Sequence, residues 1–379
     1  MKRMVFIVCT LLTITSLRNA SAAAADNMPA RIVIAANGHG FALALPSGKP
    51  GRHIFHPWGF NYGNKGRLIE DFWQTHWSTV AHDFKNMRAL GANVVRVHLQ
   101  FGKLMRGPHT PDATSLALLA RLLKLAQTNH LYLDLTGLAC YRPADTPAWY
   151  SALDDRRRWA AQQAFWRAVA HTCRQSHMVF CYDLVNEPLV PAGSRKPGQW
   201  RSGSNFGGYD FLQYIALHQG DISRPALAAQ WIDRMTRAIR SQDKHTLITV
   251  GLLPWVRKWG WLSGFEPEVI APHLSFISVH IYPSARHPED AMTALRKCAV
   301  GKPIVIEETF PLSCSAQQEE QFLLQSRKFA CGWLGHYDGL TLSDYAKLQR
   351  QGKLTIPEAI YQSWQQLFVK LKPRFVRQQ

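Results

Sequence analysis

The chain has 379 residues, 46% of them hydrophobic, and a formal net charge of +18. That is enough apolar material for one large core or two smaller ones, and length alone does not separate these. The charge favours anionic surroundings, but the basic residues are dispersed ("DDRRRW", "SRKPGQWR", "VRKW") and no nucleic-acid-binding motif accompanies them.

Residues 1–22 read as a secretory signal. Lys2 and Arg3 begin it, "MVFIVCTLLTITSL" is its apolar stretch and "ASA" at 20–22 supplies the cleavage pattern, with the cut after Ala22. The roughly 14 apolar residues before Arg18 fall short of the 20 or so that a membrane span needs. No later segment is long and apolar enough, so residues 23–379 are expected as a secreted or periplasmic protein without stable membrane insertion. Of seven cysteines, Cys9 lies in the signal. The others, Cys140, Cys173, Cys181, Cys298, Cys314 and Cys331, match no zinc spacing and allow either disulfides or isolated thiols.

After the signal, "RIVIAANGHGFALALPSGKPGRHIFHPWGFNYGN" alternates apolar and turn residues, as short strands and hairpins do. The period then switches repeatedly. A helix ending at the C-cap Gly91 precedes the strand "ANVVRVHLQF"; a helix with Asp112 as N-cap precedes "LYLDLTGL". Further helices alternate with "MVFCYDLVNEP", "HTLITVGLLPW", "SFISVHIYP", "KPIVIEETF" and "CGWLGHYDG", and a helix closes the chain. With "HIFHPWGFNY" as the first strand, this gives eight strand–helix units whose strands are continuously apolar, the pattern of parallel strands covered on both faces. A single-domain (β/α)8 barrel over 23–379 is the economical solution, with a short N-terminal β-hairpin region. An open doubly wound sheet is the runner-up, but the first strand–helix junction lacks the glycine-rich turn of that class. The least regular piece, 189–223, is a long insertion after the fourth strand, and such connections are usually functional loops.

In a barrel the reactive groups sit at the C-terminal strand ends. The fourth strand ends in Asn186-Glu187 and the seventh in Glu307-Glu308. Two carboxyl groups from two strand ends are what glycoside hydrolysis needs, one to protonate the leaving oxygen and one to attack or stabilise the anomeric carbon. Side-chain parity alone leaves the choice between Glu307 and Glu308 open. Arg96 and His98 share a face of their strand, as do His280 and Tyr282, and an arginine and a tyrosine would hold a carboxylate ionised and oriented. Trp255, Trp259 and Trp261 follow the fifth strand at the rim, where flat rings suit pyranoses.

"VNEP", "KPIVIEETF", "VVRV" and "HIYP" together resemble glycoside hydrolase family 5, the cellulase-like members of clan A, over most of the chain from "WGFNYGN" onward. The resemblance implies an eight-fold barrel and a retaining mechanism, with Glu187 as acid/base and Glu308 as nucleophile. It implies that Asn186 binds the hydroxyl beside the anomeric carbon and that Arg96, His98, His280 and Tyr282 line the subsite. Glu307 is then expected to face the surrounding helices. The family's eighth strand usually offers a tryptophan platform, for which Trp333 stands available, with His336, Tyr337 or Asp338 as alternatives. Thr309-Phe310-Pro311 depart from the aromatic and glycine that commonly follow the nucleophile.

The expected activity is hydrolysis of β-linked glucan- or mannan-type saccharides by two displacements, with no metal or organic cofactor and a carbohydrate as the partner. An inactive carbohydrate-binding barrel and a transglycosylase are the alternatives. The long insertion, with Trp200, Phe206, Tyr209 and Tyr214, suggests a walled, pocket-like cleft.

Overall fold

The computed structural model describes residues 29–203, 206–257 and 260–376. The signal-like stretch, Cys9 and Trp259 therefore lie outside the described residues. Eight parallel strands close into a barrel: β1 (Trp58–Gly63), β2 (Val94–Gln100), β3 (Tyr132–Ala139), β4 (Val179–Asn186), β5 (Leu247–Leu252), β6 (Ile277–His280), β7 (Ile304–Glu308) and β8 (Gly332–Asp338). Each pairs with its sequence neighbours, and β8 returns to β1 in the register Trp333↔Trp58 through Asp338↔Gly63. The strands are almost wholly buried because helices cover their outer faces.

The helix ends follow local chemistry. Asp112 accepts from the backbone N–H of Ser115 at 2.7 Å, and Gly91 takes the left-handed conformation (φ 104°) that ends its helix. The stretch "HIFHPWGFNY" is not one strand. It divides at Pro57, whose ring removes the backbone donor a continuous ladder would need. Residues Pro50–Phe55 instead complete an antiparallel sheet with Ile32–Ile34 and Phe41–Ala44. That sheet covers the N-terminal end of the barrel, with Phe41 meeting Phe180 and Phe276 edge-on at 5.1 Å.

At the opposite end the insertion 189–223 is tied down by the barrel's own helix Asp155–Cys173. Asp155 accepts from the backbone of Leu217, and Trp159 donates to the carbonyl of Ile215 at 2.6 Å. The loop is thereby held against the strand ends that carry the polar residues. All six described cysteines are free thiols, four of them buried. Among the described residues no helix is long and apolar enough to cross a membrane.

Candidate active site

Arg96, fully buried on β2, is the hub of the polar cluster. One terminal nitrogen donates to Asn61 Oδ1 at 2.8 Å and to Glu308 Oε1. The other donates to Asp183 Oδ2 at 2.8 Å and to Asn186 Oδ1 at 3.0 Å. Asn61 is fixed in turn by donating to the carbonyls of Glu307 and Gly335, which joins β1 to β7 and β8. A buried guanidinium among carboxylates is held charged, and its fork sets the positions of the groups it touches.

Glu187 follows β4 with φ at 45°, a left-handed conformation uncommon away from glycine, and its N–H donates to the carbonyl of Gly251 at 3.0 Å. Its carboxyl reaches the His280 ring, where Nδ1 is 3.2 Å from Glu187 Oε1 and 3.6 Å from Glu308 Oε1. One carboxyl oxygen from each glutamate and one His280 nitrogen all lie within 4.8 Å of one another. Burial alone would raise the Glu308 carboxyl, but the charges of His280 and Arg96 outweigh it and hold Glu308 well below the usual carboxylate range.

Glu307 does not face the surrounding helices. The pairing of β6 with β7 slips between Val279 and His280, so that His280 stands opposite Glu308. With Glu307 also turned into the barrel, its Oε2 lies 3.3 Å from His280 Nε2 and 3.6 Å from Arg96, and its Oε1 accepts from Ser278 at 3.0 Å. The expected alternation of faces fails where a bulge interrupts the pleat. His280 therefore has a carboxylate at each ring nitrogen. Burial lowers its affinity for a proton, but Glu308, Glu187 and Glu307 raise it to about 10.

Tyr282 donates to Glu308 Oε2 at 2.5 Å, and His336 Nε2 lies 2.9 Å from the same hydroxyl. With the tyrosine proton committed to Glu308, His336 is the donor in the second contact. The two rings stack at 6.0 Å. His336 thus occupies the place at the eighth strand end where a tryptophan was expected. Trp333 is not in the site: three residues earlier on β8, it is buried on the outer face, against Trp58 and Phe375, and donates to Ser326 at 2.8 Å. Tyr337 also faces outward, onto Asp83.

His98 accepts from Arg96 at Nε2 (3.2 Å), which leaves the Nδ1 proton to donate to the Tyr141 hydroxyl at 2.6 Å. Burial and the adjacent arginine keep this ring neutral. Beyond Tyr141 the insertion arrives: Phe211 lies 5.0 Å from the Tyr141 ring and its carbonyl faces Asn186 Nδ2 at 3.5 Å. A cavity of about 470 Å³ opens there between Tyr141, Arg195, Arg201 and Asp210. Trp255 is half-exposed in the loop after β5, outside the hydrogen-bonded cluster, and Phe206 stands exposed in the insertion.

Sequence reasoning thus placed Arg96, His98, Asn186, Glu187, His280, Tyr282 and Glu308 in what proves one cluster. It missed Asn61, Asp134, Tyr141 and Asp183, of which only the "GFN" strand end and the inward parity of "YLDL" and "YDLVNE" gave a signal. The trio Glu187, His280 and Glu308, like Asp134, Cys181 and Glu307, is close enough to share a cation. His280, with both nitrogens turned to carboxylates, has no lone pair left for a metal. Two carboxyl groups this close, one held ionised, form a pair in which one can engage a carbon centre while the other exchanges a proton.

The match to known proteins agrees with this geometry. The model of the Cellulase family (glycosyl hydrolase family 5) matches residues 59–311, two thirds of the chain. No curated protein matches it. Among solved structures, an exo-β-1,4-mannosidase from an Opitutaceae bacterium superposes with a TM-score of 0.63 at 19% identity; the match covers 90% of this chain and 62% of that one. A β-mannanase from the blue mussel Mytilus edulis gives 0.62 at 16% identity, covering 93% and 98%. A β-1,4-mannanase from the sea hare Aplysia kurodai gives 0.61 at 15%, covering 90% and 97%. At such identities the likeness is one of fold, while the family match spans the strands that carry the cluster, from β1 through β7. The chain belongs to glycosyl hydrolase family 5 and is an O-glycosyl hydrolase on a (β/α)8 barrel.

Proposed function

We propose that the enzyme cleaves β-linked mannose-type saccharides with retention of anomeric configuration, Glu308 acting as nucleophile and Glu187 as acid/base. The observation that carries this is the closeness of the two carboxyl groups, within 4.8 Å oxygen to oxygen. Retaining enzymes place them about 5–5.5 Å apart, whereas inverting enzymes leave room for a water. In the first displacement Glu187 gives its proton to the leaving oxygen while the Glu308 carboxylate bonds to the anomeric carbon. In the second, Glu187 takes a proton from water, whose oxygen attacks the same carbon and releases Glu308. Arg96 and Tyr282 hold the nucleophile ionised and aimed, and Asn186 Nδ2 is the donor to the neighbouring sugar hydroxyl.

Mannose is favoured over glucose by the structures that resemble the chain. Besides the mannosidase and mannanases, they include a family 5 protein from Streptomyces cattleya in complex with Manβ1-4GlcNAc, with a TM-score of 0.55 at 15% identity. The insertion reaches Asn186 through the Phe211 carbonyl, which supports reading the cleft as walled at that end and suited to short or terminal substrates. We also read residues 1–22 as an export signal, so that the mature enzyme, secreted or periplasmic, begins at Ala23; N-terminal sequencing of the exported protein tests this.

Proton NMR of the first-formed product from β-1,4-manno-oligosaccharides tests the mechanism, with cello-oligosaccharides as comparison. The β-anomer appears first if the reading is right; initial α-anomer sinks it. Glu308→Gly is expected to stay folded and lose turnover, and wild-type activity of that variant on an aryl β-mannoside would remove the assignment.

A further inference from the structure

Beneath the two reacting glutamates lies a second carboxyl pair that the double displacement does not use. Asp134, on β3, is fully buried, and among the described residues no N–H or hydroxyl donates to either of its oxygens; the weakly donating thiol of Cys181 and the carboxyl of Glu307 are its hydrogen-bonding neighbours. Its carboxyl lies with one oxygen of Glu307 and the thiol of Cys181 inside a 4.8 Å cluster. Charged and titratable groups face it from every neighbouring direction: Arg96 from β2, Cys181 and Asp183 from β4, and Glu307 from β7. Arg96 gives its terminal nitrogens to Asn61, His98, Asn186, Asp183 and Glu308, and its Nε–H, buried without an acceptor among the described residues, does not reach Asp134 either.

This buried volume holds two cations, Arg96 and His280, against four carboxyl groups: Asp134, Asp183, Glu307 and Glu308. A buried carboxylate with only a thiol to donate to it is among the most costly groups a core can hold, and two buried carboxyl groups with oxygens within 4.8 Å are stabilised by sharing a proton. We infer that Asp134 is a carboxylic acid at neutral pH that donates its proton to Glu307, and is thereby a positioning residue for His280. Burial first, and then the charge of Glu307, push the Asp134 carboxyl well above its ordinary range. Burial works against ionisation of Glu307 too, but Arg96 and the donors His280 and Asp134 hold it down at about 2. Were Asp134 ionised, Glu307 would have to take the proton, and His280 Nε2 would lose its anion. The proton on Asp134 thus keeps Glu307 charged, Glu307 keeps His280 an imidazolium, and His280 Nδ1 faces Glu187 and Glu308.

The catalytic consequence rests on the reading of Glu187 and Glu308 as the reacting pair; the proton itself does not. Infrared difference spectra of wild type minus Asp134→Asn at pH 7 are expected to contain the C=O stretch of a protonated carboxyl. A difference confined to carboxylate bands overturns the inference, whatever Glu308 does. Urea midpoints give a second readout. The unfolded chain ionises Asp134 near pH 4 while the folded one keeps the proton, so wild type loses stability relative to Asp134→Asn as pH rises from about 4.5 to 8. The relative folding constant moves by up to about tenfold per pH unit. A gap that stays constant or moves the other way overturns the inference. For the positioning role, Asp134→Ala is expected to lower kcat at least about tenfold more than Asp134→Asn, whose amide still donates to Glu307. Equal losses in the two variants remove that role.

Discussion

A β-carbon at Gly251 would lie 2.6 Å from Nε2 of His280 and 3.0 Å from Oε2 of Glu307. The strand β5 therefore carries a glycine where the imidazole must lie, and the Gly251 amide is itself held by Asp183 Oδ1 at 2.8 Å. Its carbonyl accepts from Glu187, so one residue anchors the acid/base candidate and leaves room for the ring that contacts it. Gly251→Ala is expected to displace His280 from its carboxylates and lower kcat by about 100-fold, from a misplacement on the order of 1 Å. Steady-state kinetics on an aryl β-mannoside with circular dichroism checks this; a folded variant with kcat within threefold would show the gap to be idle space.

Tyr282 gives Glu308 its second donor, and its hydroxyl in turn accepts from His336. Burial, then the charge of Glu308, keeps the phenol protonated, so it serves as a donor throughout the working pH range. A hydrogen bond to a charged group is worth about 1.5–3 kcal/mol, so Tyr282→Phe should lower kcat by roughly 10- to 100-fold. An unchanged kcat with raised KM would mean that the tyrosine binds sugar and does not act through Glu308.

Trp333 packs between Trp58 and Phe375 on the seam where β8 meets β1 and the helix Ile356–Phe375. Its role is structural, and Trp333→Ala should destabilise the fold by about 3–5 kcal/mol. The milder Trp333→Phe is expected to leave KM for manno-oligosaccharides unchanged at 25 °C. A raised KM in a variant of undiminished melting temperature would return the residue to the sugar site.

The barrel was legible because buried parallel strands leave continuous apolar runs, and because each run is punctuated by a helix with ordinary caps. Arg96, His98, Asn186, His280 and Tyr282 were legible because polar residues at the tips of such runs have few alternatives to a site. Glu307 was misread because parity assumes an unbroken pleat, and the slip between Val279 and His280 carries no sequence mark. Trp333 was misread because an outward-facing tryptophan on a covered strand looks the same in sequence as a platform. Asp134 and Asp183 sit inside the apolar runs and acquire meaning only when opposite strands are brought together. Their partners, Glu307 and Arg96, are 173 and 87 residues away in sequence.

His280 offers the sharpest test of how the cluster is charged. In the unfolded chain a histidine releases its proton near pH 6.5; in the fold the charge of Glu308 and the hydrogen bonds to Glu187 and Glu307 outweigh burial and raise that point to about 10. A raised histidine stabilises the fold fully below the unfolded value, and its contribution disappears as pH climbs through the folded one. Between pH 6.5 and 10 the stability of wild type should therefore fall relative to His280→Gln, by up to about 1.4 kcal/mol per pH unit. Lysines, tyrosines and thiols also titrate toward the upper end, but equally in both proteins, so the difference between their urea midpoints isolates the one ring. A difference that does not change across this window would mean that His280 is neutral in the fold. Glu307 would then hold the ring by an ordinary hydrogen bond, and Glu308 would depend on Arg96 and Tyr282 alone for its ionisation.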